Sequence, residues 1–200
     1  RTLTLSSSNA SVSVGAVDRV LMAVGRVTRI DELNLPAAGV AATPSGITVD
    51  GWGRTSQRGV WAVGDVTPGS HQTHAANALG RRIVQRIALR ALPPIGRPPL
   101  IPSAVFGEPE VAWVGLSTAE RVRRWHPHAT IRLSVDLADI DRGLTDGVRR
   151  GLVVIDAVRL TGRIVSATVV GPNASELIAI LTLAMARSTS LLRLSRLVYA

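Results

Sequence analysis

Arg54-Thr-Ser-Gln-Arg-Gly-Val-Trp-Ala-Val-Gly-Asp65 is a turn-rich polar run that feeds a short apolar segment and stops at a glycine with a carboxylate beside it. The apolar part, Gly59-Val-Trp-Ala-Val63, has the length and content of a buried strand. A strand that ends at Gly64-Asp65 offers one acid to a ligand hydroxyl, because a glycine lets backbone and ligand approach without a Cβ between them. The same dipeptide also suits an ordinary turn or cap, and it is the next segment that favours a site. From His71 to about Leu92 the chain reads as a helix capped by Ser70, with Ala75, Ala78, Leu79, Ile83, Ile87 and Leu89 broadly on one face. Arg81, Arg82, Arg86 and Arg90 fall outside that face. A strand, an exposed carboxylate and a helix amino terminus together make a site for a polyol beside an electron-rich group.

Upstream of this stretch, residues 1–14 are rich in serine and alternate enough to form an edge strand, and Asp18-Arg-Val-Leu-Met-Ala-Val24 reads as a buried strand ending at the turn Gly25-Arg26. Gly46-Ile-Thr-Val-Asp50 is a further short strand after a Pro44-Ser-Gly turn. The proline-rich run Pro93 to Pro99 cannot continue a helix and reads as a linker.

Beyond the linker the pattern changes to α+β. Ser103–Phe106, Val111–Val114, Ile131–Val135, Gly151–Ile155 and Ile164–Val170 read as strands, and Ser117-Thr-Ala-Glu120 is a capping box that opens a short helix. Asn173-Ala-Ser-Glu176 is a second capping signal before an apolar helix to about Ala186, and Leu191, Leu192, Leu194, Leu197 and Val198 recur at helical spacing. Strands first and helices last predict an antiparallel sheet with helices on one face.

Composition limits what these pieces can do. The chain of 200 residues is 46% hydrophobic, enough for real cores, and its longest apolar runs are too short to span a bilayer. No export signal is visible, so a cytoplasmic setting without membrane contact is expected. Cysteine is absent, which excludes a disulfide or a thiolate metal site within these residues, and no metal-ligating pattern is present. The net charge of +9 comes entirely from arginine, since no lysine occurs. These arginines are scattered in small pairs, and aromatics make up only 3%, too few for base-stacking platforms, so nucleic acid is not expected as a partner.

The run from Thr55 to Asp65 resembles the second flavin-binding motif of the pyridine nucleotide–disulfide oxidoreductases, the flavoproteins that include dihydrolipoamide dehydrogenase, glutathione reductase and mercuric reductase. Four more segments resemble that family in sequence order. Asp18 to Arg26 is similar to the strand and Gly-Arg turn that close its NAD(P) domain, and His71 to Gly80 to the helix that follows the Gly-Asp. Val105 to Leu116 is similar to the opening of its dimerisation domain, and Val170 to Ile178 to a turn and helix late in that domain.

The resemblance implies a partial FAD/NAD(P)-binding Rossmann-like domain followed by an α+β dimerisation domain with an antiparallel sheet. It places the end of the NAD(P)-binding domain at 1–27, the returning segment of the FAD-binding domain at 28–98, and the dimerisation domain at 99–200. It further implies FAD and NAD(P)H as cofactors, hydride transfer between them, electrons passed to a disulfide or quinone, and a homodimer. Its cofactor-binding residues would be Gly64 and Asp65, with Asp65 accepting from a ribityl hydroxyl, and Gln72, Thr73, His74 and Ala75, whose backbone faces the flavin. Gly25 would approach the nicotinamide nucleotide, or equally serve only as a tight inter-domain turn; the His74 side chain, which matches a histidine of the lipoamide-dehydrogenase branch, reads more readily as a polar filler than as an acid or base. Thr28 and Arg29 replace the family's proline and asparagine, and Leu152 and Val154 its aromatic and lysine near Gly151. The family's Gly-x-Gly-x-x-Gly fingerprint, redox cysteines and carboxy-terminal His-Glu pair have no counterpart here. The expectation is therefore a carboxy-terminal fragment with no catalytic residues of its own, inactive alone; the alternative is a non-catalytic dimerisation or interaction module.

Overall fold

The computed structural model describes residues 2–7, 10–69, 71–89 and 99–198. Its largest element is the antiparallel sheet of the carboxy-terminal half, built from β5 (Ser103–Val105), β6 (Val111–Gly115), β7 (Thr130–Asp136), β8 (Leu152–Val158) and β9 (Ile164–Val170) in the order β5-β6-β9-β8-β7. The β-branched runs of β8 and β9 pair directly through the turn at 159–163, with Val154 opposite Thr168 and Ile155 opposite Ala167. β9 lies at the centre and is buried along most of its length, which explains a run that is nearly continuously apolar instead of alternating.

One face of this sheet is covered by α4 (Ala174–Ala186), whose Ala174, Ile178, Leu181 and Ala184 turn inward at helical spacing. They meet Ala112, Val114, Ala167 and Val169, and the small residues on both sides let helix and sheet approach closely. The helix starts differently from the sequence expectation. Asn173 lies in the left-handed region at φ 56° and makes no side-chain cap. Glu110, at the end of the β5–β6 turn, takes that part instead, accepting from Ser175 N at 3.2 Å and Ser175 Oγ at 3.0 Å. A carboxylate satisfying an otherwise unpaired amide at a helix start is worth about 1 kcal/mol. Glu110→Ala is expected to lower the stability of this half by that amount, read as a shift in the urea midpoint.

The Ser117–Glu120 capping box is present as expected and opens α2 (Thr118–Arg124). A short helix, α3 (Asp141–Thr145), lies in the β7–β8 connection. The last apolar stripe is shorter than its spacing suggested. Only the single turn α5 (Leu191–Leu194) is helical, and Leu191 and Leu194 pack on the core while Leu197 and Val198 are exposed.

The amino-terminal half has less regular structure. β1 (Thr2–Ser7) and β2 (Ala10–Ala16) form a hairpin. Asp18–Val24, expected as a buried strand, is not a strand, and Leu21 and Val24 are about nine-tenths exposed, at 91% and 89%. The expected strand over Gly59–Val63 is likewise reduced to one bridge between Arg54 and Trp61. Both have strand-like content, but a strand needs a neighbour for its backbone N–H and C=O groups: Asp18–Val24 has none among the described residues, and Gly59–Val63 has only the short stretch 53–55, through Thr55 N to Val60 O at 3.1 Å and Ala62 N to Gly53 O at 3.0 Å.

What does pack is a small cluster of Val40, Ile47 and Ala62 with Ile30, Leu35, Val49 and Val66 around it. The two-residue strands β3 (Ala42–Thr43) and β4 (Gly46–Ile47) pair beside it, so the strand expected over 46–50 is confined to its first two residues. The expected helix is α1 (Thr73–Ala88), with Gln72 at its N-cap position. Ala75 and Ile83 are buried as expected, whereas Ile87 and Leu89 are nearly half exposed. The assigned cap Ser70 and most of the linker lie outside the described residues.

Candidate functional site

Gly64-Asp65 sits between the small core and α1. Ile47 N donates to Val66 O at 2.8 Å, pinning the residue after Asp65 to β4. Gly46 makes that approach possible. Its φ is 132°, and a Cβ there would stand 2.6 Å from Val66 O. The loop is closed from the other side by Thr67, whose backbone N and Oγ1 both donate to Gly64 O, at 2.9 and 2.8 Å. Gly64 has φ 84°, and a Cβ on it would come within 3.4 Å of Ala76 in the first turn of α1.

Held in this way, Asp65 projects a side chain that is 56% exposed. Arg26 Nη1 donates to Asp65 Oδ2 at 3.3 Å, and no described residue hydrogen-bonds Oδ1. The other end of the same guanidinium, Nη2, donates to His71 O at 2.6 Å, and Thr28 Oγ1 donates to Asp65 O at 3.1 Å. These residues, with Val27, Arg29 and Val66, line a cleft of about 270 Å³. A larger open groove of about 870 Å³ runs along residues 54–61 and Arg86. Asp65 is not part of it, and its Arg54 guanidinium is already bound to Asp50 at 2.7 Å.

The start of α1 completes the arrangement. The amides of Thr73, His74 and Ala75 precede the first intrahelical bond, which runs from Ala76 N to Gln72 O at 3.1 Å. The side-chain atoms His71 Nε2 and Gln72 Oε1 are buried without a partner among the described residues. Buried polar atoms of this kind need a ligand or water to satisfy them. The His74 ring turns away from this point: its Nε2 lies 2.6 Å from Pro102 O and, facing a carbonyl, carries the proton it donates. His74 thus ties α1 to the strand leading into the sheet and brings only its backbone N–H to the helix start.

Of the residues singled out from sequence, Gly64, Asp65, Gln72, Thr73, His74 and Ala75 form one loop and helix start. Gly25 has φ 117° and nothing near the position a Cβ would take. Arg26, Thr28 and His71 were missed. The first two contact Asp65 across 39 and 37 residues of chain, and no local pattern signals a contact of that separation. Among the described residues no group of His, Asp and Glu is placed to hold a metal, and no helix is long and apolar enough to cross a membrane.

Comparison with known proteins gives the family of the chain. Residues 4–80 match the profile of "Pyridine nucleotide-disulphide oxidoreductase", and residues 101–200 that of "Pyridine nucleotide-disulphide oxidoreductase, dimerisation domain". The dihydrolipoyl dehydrogenase of Halobacterium salinarum is 34% identical over 180 residues, covering 87% of this chain and 36% of that protein. The mercuric reductase of Acidithiobacillus ferrooxidans is 33% identical over 176 residues, 84% of this chain and 30% of that protein. The chain spans about a third of the length of the curated relatives it matches. Among solved structures, LpdA from Mycobacterium tuberculosis superposes with a TM-score of 0.82 at 27% identity, over 98% of this chain and 42% of that one. The flavoprotein disulfide reductase RclA from Escherichia coli shares the fold with a TM-score of 0.79 at 24% identity, over all of this chain and 45% of that one. With its two profiles in family order and half of its length in the dimerisation domain, the chain belongs to the pyridine nucleotide–disulphide oxidoreductases.

Proposed function

We propose that this chain is the part of an FAD-dependent NAD(P)H oxidoreductase, similar to dihydrolipoamide dehydrogenase, that holds the ribityl and flavin side of the cofactor. The observation that carries the reading is Asp65 Oδ1, an oxygen that no described residue hydrogen-bonds, on a half-exposed carboxylate in a loop that leads into α1. The residues fit FAD on three counts. Oδ1 is an acceptor suited to a ribityl hydroxyl, Gly64 leaves backbone without a Cβ beside Ala76, and the orphaned Gln72 Oε1 and His71 Nε2 are one acceptor and one ring nitrogen awaiting partners. Gly64, Asp65 and the backbone of Gln72, Thr73, His74 and Ala75 are its holding residues, and Gly25 lies toward the nicotinamide nucleotide. When bound, FAD would supply the acceptor for hydride from NAD(P)H and the donor for a disulfide or quinone. The chain's own contribution is orientation and the positive end of α1, which stabilises negative charge arriving at Thr73 and His74.

In this reading residues 1–27 end the nicotinamide-nucleotide domain, 28–98 return to the FAD domain and 99–200 form the dimerisation domain of a cytoplasmic enzyme. The exposed apolar positions Leu177, Ile180 and Leu183 on α4 support pairing with a second copy. No membrane or nucleic acid takes part. The full-length protein that carries these residues is expected to purify with a flavin absorbance spectrum that NAD(P)H bleaches. The 200-residue chain alone is expected to retain no flavin and to be inactive, because its sequence carries no Gly-x-Gly-x-x-Gly fingerprint to hold the pyrophosphate. A flavin-free full-length protein, or a flavin-bound isolated chain, would contradict the reading. Sedimentation of the isolated chain separates the remaining alternative: a stable flavin-free dimer is what an independent dimerisation module predicts.

A further inference from the structure

We infer that Arg26 is a positioning residue for Asp65, fixing which carboxylate oxygen faces the cofactor; the inference rests on the flavin reading above. Asp65 is more than half exposed, and an exposed aspartate on a loop is free to rotate about its side-chain bonds. A hydroxyl of a bound ligand needs one oxygen in one place. The Arg26 guanidinium supplies that constraint by spanning two points of the loop, with Nη1 on Asp65 Oδ2 and Nη2 on His71 O. The first point is the acid and the second lies two residues before α1, so a single planar group fixes the carboxylate relative to the helix start. It occupies Oδ2 and leaves Oδ1 open, which makes the two oxygens of Asp65 inequivalent before any ligand arrives.

The bridge is poorly explained as a stabilising contact. Its side chains are 66% and 56% exposed, and surface ion pairs of this kind contribute little to stability. Residues 18–27 bury nothing that would need to be anchored. Thr28 Oγ1 on Asp65 O adds a second hold from the same segment, at a position where the sequence departs from the family's pattern. Orientation of the acid is the consequence that remains. Lysine cannot reproduce it, because its compact ammonium cannot present two divergent donors to acceptors held apart.

The test uses the full-length protein, with FAD affinity and the visible circular dichroism of bound flavin as readouts. Arg26→Met is expected to weaken FAD binding about tenfold, and Arg26→Lys to recover only part of that loss. In an Asp65→Ala background, Arg26→Met should add less than about twofold, since a residue that acts through Asp65 has nothing left to position. In the 200-residue chain itself, Arg26→Met should speed amide hydrogen exchange over 65–69 and 71 without changing exchange in β8 and β9. Unchanged FAD affinity in Arg26→Met beside a clear loss in Asp65→Ala would overturn the inference and leave the flavin reading intact. Fully multiplicative effects of the two substitutions would overturn it as well. A wild-type full-length protein without flavin would remove the reading beneath it.

Discussion

Asp156→Ala is expected to lower the stability of the carboxy-terminal half by about 3 kcal/mol. Asp156 is 4% exposed and stands in a row across the sheet, opposite Arg132 on β7 and Ser166 on β9. Arg132 Nε and Nη2 donate to its two oxygens at 2.9 Å each, Ser166 Oγ donates to Oδ2 at 2.8 Å, and Arg121 Nε lies 3.6 Å from Oδ2. Removing the acid strands a buried hydroxyl and the largely buried Arg121 guanidinium. Arg132, half exposed at 51%, recovers water, which keeps the loss at the low end for a broken buried pair. Burial pushes the Asp156 carboxyl up, but hydrogen bonds from Arg132 and Ser166 and the charges of Arg132 and Arg121 outweigh it and hold the group below its ordinary value. A folded value below the unfolded one stabilises the protein above the ordinary aspartate range, about 3.9. That stabilisation is lost as pH falls below that range toward the folded value. Urea midpoints followed from neutral pH down to pH ~3 should fall for the wild type and fall less steeply for Asp156→Ala. Parallel curves would show that the network carries no such linkage.

Gly46→Val is expected to destabilise the amino-terminal half by about 3 kcal/mol and to displace the Asp65 loop with it. At φ 132° a β-branched residue is strained, and its Cβ would meet Val66 O at 2.6 Å and the backbone of Thr67 and Pro68 at 3.2 Å. All of these are backbone atoms, which cannot rotate aside as a side-chain end would. Relief requires β4 to part from Val66, breaking the bond from Ile47 N that holds the residue after Asp65. The expected signature is loss of amide protection at Ile47 and Thr67 together. Intact protection at Thr67 with lost protection at Ile47 would show that the Asp65 loop is held without β4.

The sequence was most legible where pairing is local. β8 and β9 are joined by a short turn, and the Ser117–Glu120 box encloses its own helix start, so composition and spacing were enough to find them. The reading failed where a segment depends on distant chain. Asp18–Val24 and Gly59–Val63 have the residues of buried strands, yet content cannot say whether a neighbouring strand exists. Asn173 illustrates a different limit. Its spacing to Glu176 matched a capping box, but the left-handed backbone at Asn173 left the capping to Glu110, 65 residues before Ser175. At the site, Gly64, Asp65 and the α1 start were contiguous and therefore visible. Arg26 looked like half of a turn because its partners lie 39 and 45 residues away. Thr28 was visible only as a departure from the family's pattern, and its hydroxyl touches Asp65 O, 37 residues away.

The role of Asp65 as a flavin-holding acid is tested most directly by the flavin content of the full-length protein with and without that carboxylate. Wild-type protein is expected to purify with flavin bound. Asp65→Ala should lose most of it, with the unfolding midpoint of the carboxy-terminal half unchanged because Asp65 contacts none of that core. Equal flavin content in the two proteins would contradict the assignment of Asp65.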